Sequence, residues 1–183
     1  MATIPEHSVK VRPAIFPDDK DTIKKLFLAY EQHLLDTASV KLDFQNFEHE
    51  LASLPGKYDL EKNGALWLAC ISTPIAENAP AKEALIGCMG LRAFTAHSGE
   101  LKRLYLTPEA RGHGVSKMLM DVAIARAREL GYGELLLDTL KSMTEARRLY
   151  EKYGFAEVEA YYESHPDAVF YRLDLREVEP KDT

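Results

Sequence analysis

Cysteine is almost missing from this chain: Cys70 and Cys88 are the only two in 183 residues. Both stand inside apolar runs that read as strands, with no histidine or aspartate beside them in sequence, so they read as buried, reduced filler and not as a disulfide or a nucleophile. Long hydrophobic runs are missing too. No apolar stretch reaches the roughly 18–20 residues of a membrane span, and the N-terminal region lacks a signal-peptide core, so the expected location is cytoplasmic with no membrane partner. Positive charge is in deficit, with 23 Lys and Arg against 29 Asp and Glu, a net charge of -6 and a pI near 5.6. Binding to nucleic acid starts from basic charge that displaces counterions, so no nucleic-acid partner is expected, and cationic or neutral small molecules are favoured over polyanions. The histidines (His7, His33, His49, His97, His113 and His165) show no H-x-x-x-H or C-x-x-C spacing, so no metal site is expected.

What is present is the composition of an ordinary globular protein, 46% hydrophobic and 28% charged. The length suits one domain over residues 1–183, able to bury roughly 70% of its unfolded surface. Val9 to Ala14 alternates as a first strand, and the acidic cluster Asp18, Asp19 and Asp21 stands where it can cap a helix from about Asp19 to Leu35. A second helical pattern places Phe44, Phe47, Leu51 and Leu54 on one face and stops at Pro55-Gly56. Ala65–Ile71 and Leu85–Leu91 read as antiparallel strand neighbours across the surface loop Ser72 to Ala84. A strand from Glu100 to Leu106, a helix from about Gly112 to Leu130 and a buried strand Glu134–Thr139 follow. Ser142-Met-Thr-Glu145 reads as a capping box opening a helix that carries Tyr150 and stops at Gly154; strands Phe155–Ala160 and Ala168–Leu175 close the chain. No internal repeat is visible. Hairpin and crossover connections together make the class α/β or α+β with a mixed sheet.

The most informative stretch runs from Glu100 to Lys117. A strand breaks at Pro108, crosses Arg111-Gly-His-Gly114 and enters a helix, which is the outline of an anion site. Glycines at positions 112 and 114 permit positive φ, the first helical turn offers N–H groups without partners, and Arg111 adds a forked cation. The spacing is not that of a P-loop, and a dinucleotide fingerprint fails at Lys117, which occupies the third glycine position. It fits R-x-x-G-x-G/A, with Ser116 in the last place. Downstream, Ala146-Arg-Arg-Leu-Tyr150-Glu-Lys-Tyr-Gly-Phe155 fits A-x-x-L-Y-x-x-x-G-F, and Met143 stands where asparagine is common.

On those two motifs the chain resembles the GNAT superfamily of N-acetyltransferases. The resemblance implies a mostly antiparallel mixed sheet flanked by helices, with central strands that splay apart to admit acetyl-CoA. It places cofactor contacts at Leu104, Tyr105 and Leu106 on the strand, at Arg111, Gly112, His113, Gly114, Val115, Ser116 and Lys117 in the loop and helix entry, and at Thr139. It implies an acceptor pocket walled by Tyr30, Phe44, Phe47, Tyr161 and Tyr162, for a small amine, an amino acid or a peptide terminus.

The implied chemistry has definite needs. A lysine-like amine is more than about 99.9% protonated at pH 7, a deficit of roughly 4.6 kcal/mol, so something must take its proton. The thioester oxygen needs a fixed N–H donor, placed at Leu104 or nearby, and the departing thiolate benefits from a proton donor. Strand alternation sets Glu100, Lys102, Leu104 and Leu106 on one face and Leu101, Arg103 and Tyr105 on the other. Glu100 or water is then the expected base and Tyr150 the expected acid, while Lys102 and Arg103 read as surface or ion-paired cations. A non-catalytic acyl-CoA sensor and a generic nucleotide binder are the alternatives.

Overall fold

The computed structural model describes residues 8–42, 46–73 and 82–176. Seven strands form one sheet, β1 (Ser8–Pro13), β2 (Ala65–Thr73), β3 (Lys82–Ala93), β4 (Ser98–Leu106), β5 (Glu134–Leu140), β6 (Ala156–Val158) and β7 (Ala168–Asp174). Their order across the sheet is β1-β2-β3-β4-β5-β7-β6, antiparallel throughout except between β4 and β5. Helices α1 (Lys20–Ala38), α2 (Phe47–Ser53), α3 (Val115–Glu129) and α4 (Thr144–Lys152) complete the expected mixed architecture.

Both faces of the sheet are covered, which explains the apolar character of β2 from Ala65 to Ile71. Ala65, Trp67 and Ala69 join a core with Leu119, Met120, Ala123 and Ala127 of α3, while Leu66 and Leu68 join a second core with Ile23, Phe27 and Leu34 of α1 and Phe47 of α2. Burying a leucine or phenylalanine contributes about 1.5–3 kcal/mol, so the two layers hold the helices against the sheet. Cys70 and Cys88 are buried free thiols, as their apolar settings imply.

Local details differ from the expectations in three places. Asp19 is the N-cap residue of α1 but makes no side-chain cap bond; its carboxylate is taken by Arg12 (2.6 and 2.9 Å) and the Ile15 N–H (2.7 Å), a stronger charge-assisted fork. The proposed capping box is not formed either, because α4 starts at Thr144 with Met143 at its N-cap and no side-chain bond there. Helix α2 begins at Phe47, and Phe44 lies outside the described residues. Finally, strand alternation fails in β4. Cys88 pairs with Tyr105 but Gly90 pairs with Lys102, so two residues of β4 oppose Met89, and Arg103 takes φ 60° in the resulting bulge. The extra residue turns Leu104 and Leu106 toward the α3 side with Leu101, while Lys102, Arg103 and Tyr105 face the α1 and α2 side. Glu100 and Leu104 therefore do not share a face.

Candidate active site

The parallel pair β4 and β5 stays together for only three positions, Ser98 with Glu134, Gly99 with Leu135 and Glu100 with Leu136. Beyond them each strand remains bonded on its outer side, β4 to β3 and β5 to β7, and a groove opens between the two. A cavity of about 430 Å³ occupies the opening, lined by Leu104, Tyr105 and Leu106 of β4, Tyr30 and His33 of α1, Ser116 of α3, and Met143 to Ala146. It adjoins a smaller chamber of about 80 Å³ that shares Tyr30, Leu104, Met143 and Ala146 and adds Lys102, Arg103, Asp138, Thr139 and Tyr150.

The mouth of the groove is the entry to α3. Gly112 and Gly114 take φ 78° and 67°, in the region that costs other residues energy, and a Cβ at either would meet nothing within 4 Å. The requirement for glycine inside the protein itself is thus conformational. Arg111, Gly112, His113 and Gly114 are exposed beside this entry. Val115 is 1% exposed and points into the core, so only its main chain faces the ligand side, and the Lys117 ammonium is held by Asp121 at 2.9 Å.

Tyr150 sits at the chamber with its ring against Phe155 and Tyr171, centroids 6.0 and 6.2 Å away. Its hydroxyl has no hydrogen-bond partner among the described residues, and burial, reinforced by the nearby Tyr30 and Asp138, pushes its pKa well above that of a free phenol. Tyr153 behaves differently. Its hydroxyl lies 2.6 Å from Asp121 Oδ1 and 3.1 Å from the Lys117 carbonyl oxygen, which ties α4 to the first turns of α3.

Glu100 has no exposed surface and does not line the groove. Its Oε2 is gripped by Arg92 through Nε (2.8 Å) and Nη2 (2.7 Å), and Tyr161 donates to Oε1 at 3.2 Å. A solvated strand-end carboxylate, the alternative that the sequence offered for it, is therefore excluded. Lys102 and Arg103 are ion-paired, but neither is a surface residue. The Lys102 ammonium donates to Asp138 Oδ1 at 2.5 Å and Tyr162 Oη at 3.3 Å, and burial lowers its pKa despite the opposing pull of the Asp138 and Glu100 carboxylates. Burial works to raise the Asp138 carboxyl, yet Lys102 outweighs it and the net shift is downward. Arg103 reaches across to Glu50 of α2 through Nε (3.1 Å) and Nη2 (2.5 Å).

Of the expected acceptor residues, Tyr30 lines both cavities, and burial raises its phenol to about 12. Tyr161 and Tyr162 close over Glu100 and Lys102, packed edge-on against Phe170. Phe47 is only 3% exposed, lies 5.2 Å beneath the Arg103 guanidinium and lines neither cavity. The groove thus brings together Tyr30, Leu104, Tyr105, Leu106, Ser116, Thr139 and Tyr150. Sequence reading missed Asp138 and the buried roles of Lys102 and Arg103; the available signal was a carboxylate ending an otherwise apolar strand, a placement that demands a partner.

A mixed sheet parted between two parallel strands, beside a glycine-bearing helix entry, is the architecture of a GNAT-superfamily N-acetyltransferase. The family model described as acetyltransferase (GNAT) family matches residues 28–155, and the chain belongs to that family. A Schizosaccharomyces pombe protein named as an uncharacterized N-acetyltransferase is 32% identical over 170 residues, covering 92% of this chain and 96% of that one. A similarly named Dictyostelium discoideum protein is 27% identical, covering 85% and 94%. Among solved structures, a Staphylococcus aureus GNAT-family acetyltransferase superposes with TM-score 0.71 at 20% identity over 92% of this chain and all of that one. A Salmonella typhimurium protein described as an acetyltransferase with its cofactor acetyl-CoA gives 0.65 at 19%, over 95% of this chain and 98% of that one. Among the described residues, no group of three His, Cys, Asp or Glu side chains could hold a metal ion, and no helix is long and apolar enough to cross a membrane.

Proposed function

We propose that this protein transfers an acetyl group from acetyl-CoA to a primary amine of a small molecule, an amino acid or a peptide. The observation that carries this reading is the parting of β4 from β5 after three pairs, with the unpartnered Tyr150 hydroxyl at the chamber in the gap. The residues suit the donor molecule: exposed glycines with positive φ ahead of a 15-residue helix, and strand edges that are no longer paired with each other beyond Glu100 and Leu136. Main-chain amides from Gly112 to Lys117, with Arg111, would hold the pyrophosphate, while Leu104, Tyr105, Leu106 and Thr139 would flank the pantetheine arm. When bound, acetyl-CoA supplies an activated thioester carbonyl. The Leu104 N–H would polarise that carbonyl, a contribution of about 10²–10³ in rate for such a donor.

Tyr150 would give its proton, or a strengthening hydrogen bond, to the departing thiolate sulfur. An ordinary phenol near 10 and a thiol near 8.5 leave that transfer uphill by roughly 2 kcal/mol, and the raised pKa of Tyr150 shifts the balance toward hydrogen bonding. Proton removal from the amine falls to water or to Glu100. Because Glu100 is fully buried, its participation would run through the Tyr161 hydroxyl.

The test is release of free thiol from acetyl-CoA over a panel of amines, with thermal melts in parallel. Amine-dependent release and stabilisation by acetyl-CoA are expected, the latter about 2.7 kcal/mol at a hundredfold excess over Kd. Stabilisation without release on any amine would make the chain an acyl-CoA-binding module, and protection by ATP or NAD in place of CoA would make it a nucleotide binder.

A further inference from the structure

A second recess lies on the α1 and α2 side of the sheet. It has a volume of about 190 Å³ and is walled by His49, Glu50, Lys57, Tyr58, Lys62 and Arg92, among others. One water needs roughly 10–15 Å³, so the space admits a small organic group. Its charge is opposite to that of the chain as a whole: three Lys or Arg cations face it in a protein of net charge -6. The carboxylate in the wall does not neutralise them. Both Glu50 oxygens are occupied, Oε1 by the Tyr58 hydroxyl (2.6 Å) and Arg103 Nε, and Oε2 by Arg103 Nη2.

The cations, in contrast, have donors to spare. Lys57 and Lys62 are exposed, and their ammonium groups make no hydrogen bond or ion pair among the described residues. Arg92 engages Glu100 through Nε and Nη2, which leaves Nη1 without a partner. The recess and the transfer chamber are linked through the Arg103–Glu50 ion pair, since Arg103 lines the chamber and Glu50 lines the recess. A molecule lying over that ion pair would present one end to Tyr150 and Asp138 and the other to three cations.

We infer that this recess anchors a carboxylate of the acceptor, so that the substrate class is a small amine that also carries an acid group. The inference rests on the proposed acetyl transfer for its amine end, and on the recess alone for its acid end. Overall charge pointed toward cationic or neutral ligands; the local wall reverses that preference, as short-range fields in a cleft can.

The experiment compares amines of equal length with and without the acid, 5-aminopentanoate against pentylamine, in the thiol-release assay. Wild-type protein should favour the aminoacid in kcat/KM by at least about tenfold, and Lys57→Glu with Lys62→Glu should erase the preference through KM. Both lysines are exposed, so the doubly reversed chain should melt as wild type, and Lys57→Arg with Lys62→Arg should keep the preference. Pentylamine used as well as 5-aminopentanoate, or a preference that survives charge reversal, overturns the inference while leaving acetyl transfer intact. Calorimetric titration with glutarate and with inorganic phosphate needs no turnover. Saturable glutarate binding that the reversal abolishes supports the site even if no amine is acetylated, in which case the functional proposal fails and the anchor stands. No glutarate binding, or phosphate binding more tightly than glutarate, refutes a carboxylate anchor.

Discussion

Replacing Glu50 by glutamine should cost this protein far more than a surface charge would. Arg103 has 2% of its side chain exposed and Glu50 13%, and the two meet through a pair of nitrogen–oxygen contacts at the β4 bulge. Glutamine keeps an oxygen for Tyr58 but removes the carboxylate charge that faces the buried guanidinium, where water cannot replace it. Removing one partner of a buried pair costs about 3–5 kcal/mol; the retained contacts favour the lower end, roughly 3 kcal/mol. At about 2–4 °C per kcal/mol for a chain of this size, Tm should fall by roughly 6–12 °C. Differential scanning calorimetry at neutral pH measures this, and Arg103→Met in the Glu50→Gln background should recover part of it. Acid provides an internal check. Burial tends to raise the Glu50 carboxyl, but Arg103 outweighs it and the folded-state pKa lies below the ordinary value. A depressed carboxyl contributes stability that is present above the unfolded pKa, near about 4.3, and lost as pH falls through the folded pKa. The gap between the two proteins should therefore close in that acid window. A loss below about 1 kcal/mol at neutral pH, the size of an exposed pair, would refute the view that this contact locks α2 onto the sheet.

Four further substitutions test the candidate site. Tyr150→Phe should lower turnover about tenfold or more with little change in Tm or in the Michaelis constant for acetyl-CoA, whereas Tyr153→Phe should keep turnover and lose about 0.5–1.5 kcal/mol of stability with its bond to Asp121; equal turnover in Tyr150→Phe and wild type removes the phenol from the mechanism. Gly114→Val, placed at φ 67°, should raise the Michaelis constant for acetyl-CoA at least about tenfold, and an unchanged constant in a folded variant counts against the loop as the pyrophosphate site. Glu100→Gln should destabilise by uncoupling Arg92, and if turnover on the acid side of the pH profile stays at the wild-type level, water is the base.

The elements themselves were legible because their periodicities are strong. Apolar β2 and amphipathic α1 carry their burial in the residue pattern, and the glycines at 112 and 114 announce the helix entry by the conformations that only glycine adopts cheaply. The cap assignment at Asp19 failed for a physical reason. Aspartate and serine at helix starts are local signals, and for Asp19 a tertiary partner, Arg12, competed and won. The face of each β4 side chain was also illegible. A bulge inserts one residue against the neighbouring strand, so Lys102 and Arg103 share a side that strict alternation forbids. The Lys102–Asp138 and Arg103–Glu50 pairs join residues 36 and 53 positions apart, a distance over which local pattern carries no information.

The early parting of β4 and β5 also bears on how the two halves of the site can be altered. On the proposed function, the donor would be held at the helix entry by peptide groups, which every residue type supplies, so what matters there is the path of the chain, set by the bulge and the helix-entry glycines. The recess and the Tyr161–Tyr162 pair would meet an acceptor with side chains, where one substitution changes charge or shape. On that function, donor binding would in consequence tolerate most single replacements that spare those glycines and the bulge, while acceptor preference would be the part more open to redesign.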